Sequence, residues 1–367
     1  MNKHQPYDLK QMQSIPLEGK ILMTKERIRQ WYEHWDGQVY VSFSGGKDST
    51  VLADMCARFC RDYGYTLYLL FVNTGLEYPE IQKFTKEYAE WLRATYHIEV
   101  VLDIIRPEMR FDEVIKKYGY PVISKEVSQT VCEAKKNATT GKYSYRLKKL
   151  NGEATDKDGN LSTYNIPQWK FLLDAPYDIS HRCCDVMKKS PAKQYEKTTE
   201  RKPIIGTLAT ESRLRYQKWL KYGCNAYDQK GRKTSQPLSF WTEQDILHYL
   251  KKYEVPYCSV YGDIVIDEKV DGENVIEGQM NLIDYLGCYE QEDLLKTTGC
   301  SRTGCIFCMF GCHLEKQPNR FQKLKETHPR QYEYCIGGGE MVDGKWQPNK
   351  EGLGLGKVLD YIGVKYD

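Results

Sequence analysis

Residues 38–50 read Gln38-Val39-Tyr40-Val41-Ser42-Phe43-Ser44-Gly45-Gly46-Lys47-Asp48-Ser49-Thr50. The first half has the apolar, β-branched and aromatic character of a strand, and the second half packs glycines, a lysine, an aspartate and hydroxyls into one turn. A helix follows from about Asp48 to Arg61, with Val51, Leu52, Met55 and Phe59 on one face. A strand that passes through glycines into a helix N-terminus is an anion site, because free backbone N–H groups and the positive end of the helix dipole point at the ligand. Gly45 and Gly46 let the backbone approach closely, Lys47 adds charge, and the hydroxyls of Ser42, Ser44, Ser49 and Thr50 offer hydrogen bonds. The segment lacks the four residues that a Walker A turn places between its first glycine and its Gly-Lys pair, which disfavours a P-loop kinase or GTPase.

Outward from the turn, strand and helix alternate. Thr66 to Val72 is a nearly continuous apolar run, as expected for a strand covered on both faces. Asn73-Thr74-Gly75 ends it, and Pro79 opens a helix to about Tyr96. Glu99 to Ile105 reads as a third strand, Phe111 to Tyr118 as a short helix and Lys202 to Gly206 as a late strand. Residues 24–36 read as a helix opened by Thr24, and Thr242 with Asp245 at N3 caps another over 237–250. The alternation predicts an α/β fold with a parallel sheet and helices on both faces. We expect an N-terminal helical extension (1–37), a nucleotide-binding α/β domain (38–260) with a mobile, basic-flanked insertion at about 138–170, and a C-terminal region (261–367). That last region would hold a hairpin around Asp271-Gly272 and a cysteine-rich stretch packing on the first domain.

The 367 residues suffice for one large or two smaller cores. Charge is balanced, 53 basic against 50 acidic residues, so any nucleic-acid surface must be local. No run approaches the ~18 apolar residues of a membrane span, and the opening residues lack the apolar centre of a signal peptide. The expectation is a cytoplasmic protein, compatible with a homodimer.

Thirteen cysteines are many for a reducing compartment, where metal or redox chemistry is a better reading than disulfides. Two clusters stand out: Cys183-Cys184, between His181 and Lys188, and Cys300, Cys305, Cys308 and Cys312, followed by His313. A Cys-x-x-Cys pair offers two thiolates to one centre and a second pair completes four-fold ligation. Soft thiolates suit iron–sulfur or zinc, and spacing leaves both open. Cys56, Cys60, Cys132, Cys224, Cys258 and Cys288 stand alone and read as small buried hydrophobes.

Ser44-Gly45-Gly46-Lys47-Asp48-Ser49 resembles the PP-loop of the adenine-nucleotide alpha-hydrolase superfamily. Asn73-Thr74-Gly75 with Tyr78-Pro79-Glu80, the stretch Gly206 to Arg215 with Glu211-Ser212, and Pro237-Leu238 with Trp241 and Asp245 are similar to further motifs of its phosphoadenosine phosphosulfate (PAPS) reductase/ATP sulfurylase branch. The resemblance covers roughly residues 38–315. It implies an adenine nucleotide, ATP or a sulfonucleotide, at Ser42, Ser44–Thr50, Asn73, Thr74, Gly75, Arg213 and Arg215, with magnesium. Lys47 and Asp48 would be the catalytic pair, Lys47 neutralising charge and Asp48 orienting magnesium or the helix start. For Arg213 and Arg215 the plainer reading is a solvated helix face. The cysteine pattern resembles the [4Fe–4S] site of adenylylsulfate reductases, which implies ligation by Cys183, Cys184, Cys305 and Cys308, with Cys300 and Cys312 as alternates. His181 and His313 fit hydrogen bonding behind the ligands better than ligation.

Two departures bear on the reaction. Sulfonucleotide reductases carry a degraded turn, whereas Gly45-Gly46-Lys47-Asp48 is intact, as in enzymes that split ATP into AMP and pyrophosphate. They also use a C-terminal nucleophilic cysteine, and here none follows Cys335. We therefore expect an ATP pyrophosphatase that supports iron–sulfur-assisted sulfur transfer, from a sulfur donor protein to an acceptor that includes nucleic acid among its candidates. Cations and aromatics mix at 142–149 and 213–222, as on nucleic-acid surfaces and as on half-buried helices. The alternatives are a PAPS or APS reductase releasing sulfite, and a non-catalytic nucleotide-sensing module.

Overall fold

The computed structural model describes residues 2–138, 143–227, 232–267 and 293–367. Lys142, Cys288 and the expected turn at Asp271-Gly272 lie outside them. The chain forms two compact units that interleave in sequence. The first comprises Met1–Val72, Tyr78–Ile105 and Gln194–Thr303; the second comprises Asn73–Glu77, Arg106–Lys193 and Gly304–Asp367. Neither coincides with the consecutive spans expected from the sequence.

The first unit contains α1 (Leu17–His34), β1 (Val39–Ser42), α2 (Lys47–Tyr63), β2 (Leu67–Val72), α3 (Pro79–Tyr96), β3 (Val100–Ile105), β4 (Lys202–Ile205), α4 (Arg213–Tyr222), β5 (Asn225–Ala226), β6 (Thr234–Ser235) and α5 (Glu243–Lys252). Its six-stranded sheet runs β3-β2-β1-β4-β6-β5, parallel throughout except for the antiparallel β5–β6 edge. The apolar run of β2 buries Leu67, Leu69, Leu70 and Phe71, the signature of a strand covered on both faces. Val51, Leu52, Met55 and Phe59 of α2 join the same core. The predicted cap of α5 is present: Thr242 Oγ1 accepts from the Asp245 N–H, and Asp245 reaches back to the Thr242 N–H at 2.6 Å.

The helix that contains Thr24, which follows a short one at Pro6–Gln13, differs from its sequence reading. It begins at Leu17, seven residues before Thr24, so Thr24 is an interior residue and not a cap. Its fully buried hydroxyl instead accepts from Trp241 Nε1 at 2.9 Å. A threonine is ambiguous in this way: its hydroxyl satisfies either its own helix start or a buried donor on a distant segment.

In the second unit, the short strand Val122–Ile123 pairs in parallel with Met309–Phe310. Helices Phe111–Tyr118, Lys125–Ala138, Arg320–Thr327, Pro329–Ile336 and Leu355–Tyr361 supply buried Val114, Val131, Phe321, Leu324, Val358 and Leu359. The stretch expected to be a mobile insertion has local structure in its described part. Ser144 caps a helix at Tyr145–Asn151, and Asp156 Oδ1 accepts from the N–H groups of Asp158 and Asn160 to close a tight loop. Short polar residues that read as disorder are here spent on such local bonds. Most of the hairpin expected around Asp271-Gly272 lies outside the described residues, and Ile264–Ile266 pairs antiparallel with Leu295–Thr297, further along the chain than the expected partner strand. Among the described residues no helix is long and apolar enough to cross a membrane.

Candidate functional site

In the first unit, the chain leaves β1 through Gly45, whose φ of +71° suits glycine. A Cβ there would also meet Ile81 Cγ2 at 2.9 Å. Gly46 is the extended N-cap of α2 and provides no capping side chain; its N–H donates to Ser44 Oγ at 3.4 Å. Ser44 and Ser49 hydroxyls lie 3.1 Å apart, and Ser49 and Thr50 both donate to the Gly46 carbonyl. These bonds brace the turn from within and leave Ser44 exposed.

Four residues that sequence reasoning missed surround it. Tyr261 OH accepts from the Lys47 N–H at 3.2 Å and lies 2.6 Å from Thr303 Oγ1. The Lys47 side chain is 4% exposed. Its ammonium donates to the Ser301 carbonyl at 2.5 Å and pairs with Glu243 Oε1 at 2.7 Å. Burial pushes the Asp48 carboxyl up to about 6; Lys47 opposes the shift, and the nearby Glu211 and Glu243 carboxylates add to it. Gly206 packs on Asp48, since a Cβ there would sit 2.8 Å from the Asp48 carbonyl oxygen. Arg215 pairs with Glu211, which also accepts from the Leu208 N–H at 2.8 Å. Arg215 therefore stands one carboxylate away from Asp48. Arg213 is exposed on the first turn of α4.

Asn73, Thr74 and Gly75 belong to the second unit. There the Thr74 N–H and hydroxyl donate to the two oxygens of Glu77 at 3.0 and 2.8 Å, and Gly75 N–H donates to Asn73 Oδ1 at 3.0 Å. Glu77 is 8% exposed and faces Lys188 Nζ at 3.8 Å.

Lys188 leads to the cysteines. Cys183, Cys184, Cys305 and Cys308 line one cavity with Leu76, Met187 and other apolar side chains. Cys183 and Cys184 Sγ atoms are 3.9 Å apart and precede a π-helical turn, Asp185–Lys189. The Cys308 N–H donates to the Cys305 carbonyl at 3.0 Å, while Arg320 Nη1 holds the Cys308 carbonyl at 2.8 Å. The Ile306 N–H bonds to Leu76 O at 2.8 Å, which anchors this loop to the Asn73–Glu77 segment. Charge fits anionic sulfur here. The Cys183 thiol donates to Cys184 and, with Lys125 and Lys188, lowers the Cys184 thiol below its ordinary value. Burial raises Cys305 to about 11. Burial opposes the charge of Lys188, but Cys305 and Glu77 outweigh it. Among the described residues no three His, Cys, Asp or Glu groups are set to hold a single metal ion. The four thiols instead share the walls of one cavity.

The alternates separate. Cys312 is buried and donates to the Met309 carbonyl at 3.0 Å, and Cys300 belongs to the first unit, beside Tyr78 OH. His181 and His313 do not line the cavity, and their Nδ1 atoms are buried without a partner among the described residues. Cys56, Cys60, Cys224 and Cys258 are buried, as expected of small hydrophobes, whereas Cys132 is half-buried.

The largely parallel sheet, with a glycine turn where a strand passes into a helix start, defines an α/β protein with the local geometry of an anion site. The chain belongs to the phosphoadenosine phosphosulfate reductase domain family, whose model matches residues 38–309. No curated protein matches it. Similar solved structures include an NMN synthetase from Francisella tularensis, 14% identical over 66% of this chain and 73% of that chain, with a TM-score of 0.31. Another is a U34-tRNA thiolase from Methanococcus maripaludis with its [4Fe-4S] cluster, 16% identical over 65% of this chain and 66% of that chain, with a TM-score of 0.32.

Proposed function

We propose that this chain splits ATP into AMP and pyrophosphate and uses the adenylate to move sulfur onto an acceptor. Lys47 carries the proposal: a buried ammonium fixed at a helix start that has no side-chain cap from Gly46, where charge on departing pyrophosphate needs a cation. An acceptor oxygen attacks the alpha phosphorus, the bond to the bridging oxygen breaks, and pyrophosphate leaves with its electron pair. Sulfur delivered as hydrosulfide by a donor then displaces AMP, so no external oxidant or reductant is required. Asp48, whose buried carboxyl is raised to about 6 and ionises above that, is the group to hold magnesium, which when bound screens the phosphate charge. Ser44, Ser49 and the first-turn amides orient the phosphates, in exchange for the Tyr261 hydroxyl now on the Lys47 N–H.

Cys183, Cys184, Cys305 and Cys308 are the residues to hold a [4Fe-4S] cluster, supported by their shared cavity, its apolar walls and the Lys125 and Lys188 charges. Such a cluster, when bound through all four thiolates, would have every iron ligated and would supply negative charge and local order beside the sulfur chemistry rather than a site for sulfide. The reductase alternative needs an accessible thiol late in the chain. Cys335 is fully buried and burial pushes its thiol well up, which disfavours it as that nucleophile.

The test is anaerobic incubation with magnesium and ATP, and separately with PAPS and thioredoxin. Lys47-dependent pyrophosphate release is the expected result. Sulfite release from PAPS without pyrophosphate release from ATP would replace the proposal with the reductase.

A further inference from the structure

A second pocket opens in the same unit as the cysteine cavity. It measures about 1180 Å³ including its mouth, and Leu76 and Phe111 form walls of both. Phe307, between Cys305 and Cys308 in sequence, is also in its wall, with Tyr334 6.2 Å away between ring centroids. Phe307 is buried, but Tyr334 is 40% exposed in the wall of the pocket. Three cations stand on the same walls. Arg110 is tied to Asp112 at 2.9 Å, while Lys116 and Lys350 are exposed and make no ion pair among the described residues. Thr74 and Gly75 complete the wall, and a Cβ on Gly75 would meet nothing within 4 Å, so the backbone there is open to close approach.

An exposed ring with unpaired lysines is the chemistry that stacks a base and holds its phosphate. An apolar ligand would leave the lysines unused, and a simple anion would leave Tyr334 unused. We infer that this pocket binds a nucleotide, free or within a single strand. The base stacks on Tyr334 and the phosphate lies against Lys116 and Lys350. Its role as the acceptor site rests on the sulfur-transfer proposal above; its binding chemistry does not.

The test uses the full chain, purified anaerobically, with fluorescein-labelled single-stranded DNA and RNA of about ten nucleotides, a length within the range one stacking groove spans. AMP serves as competitor. The Lys116→Glu/Lys350→Glu double variant should weaken strand binding about tenfold and flatten its salt dependence. Tyr334→Leu should weaken it about fivefold or more while Tyr334→Phe retains it. Displacement by AMP at equal concentration assigns the pocket to a free nucleotide; resistance to AMP assigns it to a strand. Strand and AMP binding unchanged in both the lysine double variant and Tyr334→Leu would overturn the inference, as would no binding by the wild type. Pyrophosphate release, measured in parallel, separates the two proposals. Lys47→Ala should abolish it and keep strand binding. Pyrophosphate release without pocket binding sinks only the inference, and pocket binding without pyrophosphate release sinks only the proposed reaction.

Discussion

Lys47 Nζ lies 2.7 Å from Glu243 Oε1, so the cation of the glycine turn is already neutralised by the first residue of α5. Glu243 is about half exposed (47%) while Lys47 is buried, so solvent screens the pair from one side and its worth is taken as roughly 1 kcal/mol, the upper end for solvent-screened pairs. An incoming pyrophosphate group must compete with that carboxylate for the ammonium and also meets its negative charge. Glu243→Gln should therefore tighten ATP binding, by up to about fivefold. Isothermal titration with magnesium-ATP reads this directly, and the gain should shrink at high salt.

The Asp48 carboxyl gives a pH signature. Its folded value, about 6, lies above the ordinary value for an aspartate, so between the two the folded chain holds a proton that the unfolded chain has released. The stability associated with that proton is fully present below the ordinary value and lost as pH rises through about 6. Asp48→Asn removes the dependence. Urea unfolding without magnesium should show the variant more stable than wild type at pH 8, by at most about 3 kcal/mol, with the gap closing toward pH 4. A gap that widens on acidification would contradict the assigned shift.

Four thiols in one cavity predict which cysteines matter for the metal. Cys183→Ser and Cys305→Ser should each lose the brown colour, iron and acid-labile sulfide of anaerobically purified protein. Cys300→Ser and Cys312→Ser should keep them, since Cys300 does not line the cavity and Cys312 is turned to the Met309 carbonyl. Elemental analysis finding zinc and no iron in the wild type would reassign the site.

What the sequence made legible was local. The glycine turn, the doubly covered β2 and the capping box at Thr242 each depend on residues within a few positions, and each is found where expected. The residues that hold Lys47 were not legible. Tyr261 and Ser301 lie 214 and 254 positions from it, and a tyrosine or a backbone carbonyl carries no motif. The cysteines show the same limit from the other side. Cys300 and Cys305 are near neighbours in sequence, yet the boundary between the units passes between Thr303 and Gly304. Spacing could nominate Cys300 as a ligand but could not see that boundary.

Thr24, whose hydroxyl was read as a cap and is a buried partner, supplies the last test. It is fully buried, accepts from Trp241 Nε1 at 2.9 Å and donates to the Pro237 carbonyl at 3.4 Å. Thr24→Val keeps the shape of the side chain and removes both bonds. The buried indole N–H is then left without an acceptor, which costs about 1–3 kcal/mol. A cap would instead be lost from the helix end, with no dependence on Trp241. A double-mutant cycle decides between these. If the hydroxyl serves Trp241, Thr24→Val should cost clearly less in a Trp241→Phe background, where no indole N–H remains to be stranded. Equal costs in both backgrounds, measured by urea unfolding, would show that the bond to Trp241 contributes nothing.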